Sequence, residues 1–142
     1  MKIPLVSLSL LFASSILCSQ NLTTHRWEDR VILVFGSSAA EKLAQTQFTK
    51  LSAESSDLAD RNLVIYQIYD REGKTPEGKS LTTKELKAFR QKFNIAVGTF
   101  AVLLIGKDGG VKMKKTEVVE PQLIFDLIDS MPMRQAEMRR KG

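Results

Sequence analysis

Cysteine and histidine are nearly absent: the 142-residue chain has one of each, Cys18 and His25. A lone cysteine supports neither a disulfide framework nor the Cys-x-x-Cys pair of a thiol oxidoreductase, so the fold must rest on its core. A lone histidine, in a segment that reads as a loose leader, leaves no base for a serine triad and no set of ligands for a multi-histidine zinc site. Its expected place is in solvent. Proline and glycine, 4 and 8 residues, are too few for a collagen, and there is no internal repeat or low-complexity tract. After the first twenty residues no run is long and apolar enough to span a bilayer. Lys and Arg outnumber Asp and Glu by 21 to 16, a net charge of +5. Acidic residues are interspersed among the basic ones and no aromatic platform accompanies them, which argues against a nucleic-acid partner. What remains, with 43% hydrophobic and 26% charged residues, is one ordinary globular domain.

Lys2 followed by the apolar run Ile3 to Ala13 reads as a secretory signal peptide, residues 1–19, with cleavage near Cys18 or Ser19. The expected product is periplasmic or secreted, begins near Gln20 and contains no thiol. A lipid-modified Cys18 is the alternative, disfavoured because Ser15, Ile16 and Leu17 make a poor lipoprotein box. Residues 20–26 then form a flexible leader and residues 27–142 a single domain.

Within that domain, Arg30 to Phe35 is a β-branched apolar run ending at Gly36, which reads as a strand. Ala40 to Leu51 places Leu43, Gln47, Phe48 and Leu51 at helical spacing, behind a Ser38-x-x-Glu41 capping box. Asn62 to Tyr69 is apolar on both faces, as a central strand is. Asp70 to Leu81, rich in charge and turn residues, reads as a long mobile connection. Thr82 and Glu85 repeat the capping spacing before a helix carrying Leu86, Phe89 and Phe93. Phe100 to Ile105, the turn Lys107-Asp108-Gly109-Gly110 and Val111 to Lys115 make a hairpin ending in a lysine-rich edge strand. Pro121 opens a helix with Leu123, Ile124, Leu127, Ile128 and Met131 on one stripe, stopped by Pro132.

That order predicts an α/β thioredoxin-like fold: a four-stranded mixed sheet, order 2-1-3-4, with helices on both faces. Three pieces also carry a family resemblance: Arg61-Asn62-Leu63-Val64, Phe100-Ala101-Val102-Leu103-Leu104-Ile105-Gly106-Lys107-Asp108-Gly109 and Ile128-Asp129-Ser130-Met131-Pro132-Met133-Arg134-Gln135. Together they resemble domain of unknown function 4174, which occurs in short exported bacterial proteins and in vertebrate secreted sushi-repeat and matrix-associated proteins. The resemblance implies a thioredoxin- or peroxiredoxin-like fold over roughly Trp27 to Arg140 and implies no activity.

Where thioredoxins carry Cys-x-x-Cys, this chain has Gly36-Ser37-Ser38-Ala39-Ala40. A hydroxyl without a nearby base is not a thiolate substitute, and Glu41-Lys42-Leu43 lacks the Gly-Lys-Ser/Thr of a phosphate loop. Two readings stand. In the first, the protein is a non-catalytic exported module that binds a protein or an acidic polymer through its basic C-terminal region, with Lys107, Arg134, Arg139 and Arg140 as binding residues. In the second, it is a cysteine-free enzyme or small-anion binder, with Ser37 and Ser38 as donors at the helix start and Arg61 or Arg71 as a clamp. No cofactor is called for. Asp57, Asp60, Asp70 and Glu72 lack the spacing of a metal site.

Overall fold

The computed structural model describes residues 21–142, so the expected signal peptide and Cys18 lie outside the described residues. Five strands form one mixed sheet: β1 (Arg30–Phe35), β2 (Leu63–Ile68), β3 (Gly73–Lys74), β4 (Ala101–Ile105) and β5 (Val111–Lys115), in the order β3-β2-β1-β4-β5. Five helices accompany them among the described residues, α1 (Lys42–Ser52), α2 (Ser55–Asp60), α3 (Thr83–Phe93), α4 (Pro121–Asp129) and α5 (Pro132–Lys141), and residues 21–23 are also helical.

Every residue of β1 is buried, which fits its place between two neighbours: it pairs parallel with β2 and antiparallel with β4. The two-residue period sends Ile32 and Val34 to one face and Val31, Leu33 and Phe35 to the other. The first face is covered by Ala44 and Leu51 of α1, Leu58 of α2 and Ile124, Phe125 and Ile128 of α4. The second is covered by Leu86, Ala88 and Phe89 of α3. Gln47, an amide in the middle of the first layer, is fully buried. Its Nε2 donates to Val119 O at 3.0 Å and its Oε1 accepts from Val119 N at 2.7 Å, so both halves of the amide are satisfied.

The expected four-strand order is present, with one addition and several local differences. β3 lies outside β2, paired through Gln67↔Lys74 and Ile68↔Gly73, so β2 is not an edge. Gly73 makes this possible, because a Cβ there would lie 2.5 Å from Gln67 O and 2.7 Å from Leu86 Cδ2. The connection expected to be mobile is pinned at this strand, with Leu81 N donating to Gly73 O at 3.0 Å and Leu81 buried. The capping box at Thr82 forms as expected on its Thr side, Oγ1 accepting from Glu85 N at 3.2 Å. The one at Ser38 does not form: α1 starts at Lys42 with Glu41 as N-cap, and Leu43 points outward while Ala44 faces the core. Pro132 ends the preceding stripe by starting α5 at its first position.

Residues 21–26 are not a loose leader. His25 is 8% exposed, its Nδ1 lies 2.8 Å from Asp29 Oδ2 and its Nε2 lies 2.8 Å from Tyr66 Oη on β2. The i,i+4 spacing supplies the first contact, and the sheet supplies the second.

Candidate functional site

The β1–α1 junction is the place where the fold would put reactive thiols. There Ser37 N donates to Glu41 Oε2 at 2.6 Å and Ser37 Oγ donates to the same oxygen at 3.1 Å. Ala39 N donates to Glu72 Oε1 at 3.3 Å. The amides that an incoming anion would use are therefore held by the chain's own carboxylates, and Asp70 lies beside them, its N–H donating to Ser37 O at 3.2 Å. Burial, with the charges of Glu72 and Glu41, holds the neighbouring Tyr69 phenol in its neutral form above its ordinary range. This surroundings is acidic, not anion-seeking.

Arg61 does not converge on those serines as a clamp, and Arg71 is exposed and makes no hydrogen bond to them. Arg61 belongs to the other end of the sheet, where Nε and Nη2 hold Asp129 in a two-point pair at 3.0 and 2.8 Å. The cation at the junction is Arg90 of α3. Its Nη2 donates to Gly36 O and Asp70 Oδ1 at 2.8 and 2.7 Å, and its Nη1 donates to Ala96 O at 2.8 Å. Its Nε is buried without a hydrogen-bond partner among the described residues. Burial lowers the guanidinium's proton affinity, opposed by Asp70 and Glu41. Arg90 falls at i+4 from Leu86, on the side of the helix that carries Phe89 and Phe93, which distinguishes it from the exposed Lys87 and Lys92.

The basic C-terminal region resolves into two sets. The inner set is a chain of ion pairs that fastens α5 to the sheet. Arg134, 2% exposed, donates through Nη2 to Asp60 Oδ2 at 2.6 Å and through Nε to Asp129 Oδ1 at 3.1 Å. Arg30, equally buried at the start of β1, holds both carboxylate oxygens of Glu137 at 3.2 Å. Lys107 Nζ donates to Glu137 Oε1 at 2.6 Å and Asn62 Oδ1 at 3.2 Å. Lys107 and Arg134, expected among the surface binding residues, are thus buried and paired, because two charges this deep persist only with partners. Asp57, Asp60 and Asp70 are likewise drawn to Arg61, Arg134 and Arg90. Hydrogen bonds from Lys141 and Arg134 bring the Asp60 carboxyl down to about 2. The Asp129 carboxyl is lowered by the Arg61 hydrogen bond despite burial. For Glu137, burial pushes upward and the hydrogen bonds from Lys107 and Arg30 outweigh it.

The outer set is Arg139 and Arg140, both exposed and neither in an ion pair among the described residues, with Met133 and Met138 also exposed on α5. At the foot of the helix a cavity of about 270 Å³ is lined by Arg30, Lys107, Lys112, Met131 and Met133. Asp108 at its rim caps the hairpin turn, accepting from Gly110 N and Lys112 Nζ at 2.9 Å each.

A sheet of this order with α3 on one face and α1 and α4 on the other is a thioredoxin fold, and comparison with solved structures agrees. The reduced 2-Cys peroxiredoxin of Plasmodium vivax is similar with a TM-score of 0.61 at 14% identity, over 81% of this chain and 84% of that one. The mitochondrial 2-Cys peroxiredoxin of Plasmodium falciparum gives 0.58 at 13% identity, over 77% and 79%. Within that class, the chain belongs to the family described as Domain of unknown function (DUF4174), which it matches over residues 21–137. A relative is Coiled-coil domain-containing protein 80 of Danio rerio, 27% identical over 133 residues. That match takes in 82% of this chain but only 15% of the relative's length. Among the described residues no helix is long and apolar enough to cross a membrane.

Proposed function

We propose that the chain is an exported, non-redox thioredoxin-like binding module that holds an acidic partner on the outer face of α5. One observation carries this reading: the inward cations of the helix are consumed in fastening it, while Arg139 and Arg140 of the same helix are exposed with no acid paired to them among the described residues. Arg and Met are favoured in contact surfaces, and a helix fastened by its inner ion pairs presents them without a backbone ordering cost at binding. Export rests on the apolar run led by Lys2. The reading in which Ser37 and Ser38 hold a small anion is disfavoured by Glu41 and Glu72 already occupying the amides there.

Retention on immobilised heparin, a stand-in for an acidic polymer, tests the proposal. Binding is expected to weaken steeply with salt, since exposed charge contacts are screened over roughly 8 Å at physiological ionic strength. Reversal of both charges, Arg139→Glu with Arg140→Glu, should weaken it markedly at unchanged stability. Retention unchanged by the double variant would remove α5 as the binding face. N-terminal sequencing of the exported protein should start near Gln20, and finding Met1 there would refute a cleaved signal peptide.

A further inference from the structure

Away from α5, the segment leading into β1 carries a feature that its packing does not explain. Trp27 is 63% exposed and sits at φ 69°, a left-handed conformation that bulky side chains avoid. The backbone is held there by its own N–H, which donates to Lys107 O in the β4–β5 turn at 2.7 Å. Arg26, next to it, is exposed and has no ion pair among the described residues. Its guanidinium lies against Gly109, whose missing Cβ would sit 2.9 Å from Nη2, and only a residue at ease at φ +85° fills that turn position. Arg26 also lines a cavity of about 140 Å³ together with Thr23, His25, Asp29 and Lys92. Lys92 is exposed and in no ion pair among the described residues, while the cavity's acid, Asp29, is engaged by His25 at 2.8 Å.

We infer that this surface is a binding site for an acidic saccharide, a pyranose bearing a carboxylate or sulfate. The indole of Trp27, next in the chain to Arg26 and outside the lining of the cavity, offers a flat, exposed face for the apolar C–H side of a sugar ring. The planar guanidinium of Arg26 presents paired donors to a carboxylate or sulfate, and Lys92 adds a point charge on the same cavity. The cavity itself is small and polar, on the scale of one ring. An acidic peptide is the poorer fit, because an aromatic anchor for a protein sits among apolar neighbours that exclude water, whereas Trp27 stands between Arg26 and the exposed Glu28. The site is separate from the outer face of α5 and does not rest on it.

Trp27 is the sole tryptophan, so indole emission from the full chain reports on this site alone. Titration with a heparin-derived tetrasaccharide should give a saturable change in emission, and Arg26→Ala should weaken the apparent affinity by at least about tenfold. By calorimetry, Trp27→Phe should retain binding and Trp27→Ala should lose it. If Trp27→Ala does not fold, as judged by far-UV circular dichroism, Trp27→Phe and Arg26→Ala decide the matter. No saturable response in either measurement overturns the inference, as does an equal response to maltotetraose or to an oligoglutamate of matched charge. Binding that ignores Arg26→Ala but vanishes with Arg139→Glu and Arg140→Glu also overturns it, leaving the α5 reading intact.

Discussion

Trp27 concentrates the backbone strain of the N-terminal segment in one residue. Left-handed backbone costs a non-glycine residue about 1–2 kcal/mol, and glycine in its place gives back about 0.5–1 kcal/mol through the entropy of the unfolded chain. Trp27→Gly should therefore change the unfolding free energy by no more than about 1 kcal/mol in urea titrations, the relief of strain offsetting the loss of the part of the indole that is buried. A larger drop in stability would show that contacts of the ring outweigh the strain. The buried arginines Arg30, Arg61 and Arg134 mark the limit of reading residues from sequence. A cation on a helix or at a strand end has the same local pattern whether it faces water or a carboxylate. What buries Arg61 is Asp129, 68 positions away, and what buries Arg30 is Glu137, 107 positions away. His25 was hidden for the same reason, its second partner being Tyr66 on β2.

Among the elements, α5 is held by charge more than by apolar burial, Arg134 being its one buried residue. Arg134→Met should cost about 2–3 kcal/mol, below the 3–5 typical of a fully buried pair because Asp60 and Asp129 are partly exposed to water. Arg139→Glu with Arg140→Glu should stay within about 0.5 kcal/mol, as exposed substitutions do. Comparing the two by chemical denaturation separates the fastening side of the helix from its outer side. The carboxyls that fasten it are lowered in the folded state, Asp60 from 3.8 to about 2, with Asp129 and Glu137 lowered as well. Their stabilisation is in place above about pH 4 and is lost as pH falls toward 2. Thermal unfolding followed from pH 5 downward should show the midpoint falling through that window, and falling less in Asp60→Asn. Elements with an apolar period of two or near four were legible in the sequence: β1, β2, α3, the β4–β5 hairpin and α4 all stand where their patterns put them. The two-residue β3 has no period to read, and its presence depends on Gly73 passing close to Gln67. The Ser38-x-x-Glu41 spacing misled because the turn that Glu41 N closes on Ser38 O at 3.2 Å precedes α1, and the Glu41 carboxylate reaches back to Ser37.

For the molecule as a whole, the thioredoxin architecture is retained while its thiol position holds Ser37 and Ser38. A chain in which Cys18 is absent, by maturation or by Cys18→Ser, should reduce insulin and consume peroxide no faster than buffer. Turnover by such a chain would mean that a group other than a thiolate performs the chemistry. The ion pair from Arg30 to Glu137 joins the first residue of the first strand to the last helix, and this bears on how the protein is made. A ribosome releases Arg30 early and Glu137 almost at the end, so throughout synthesis the central strand carries a charge that cannot be buried at low cost. Docking of that strand is disfavoured until the final helix has emerged.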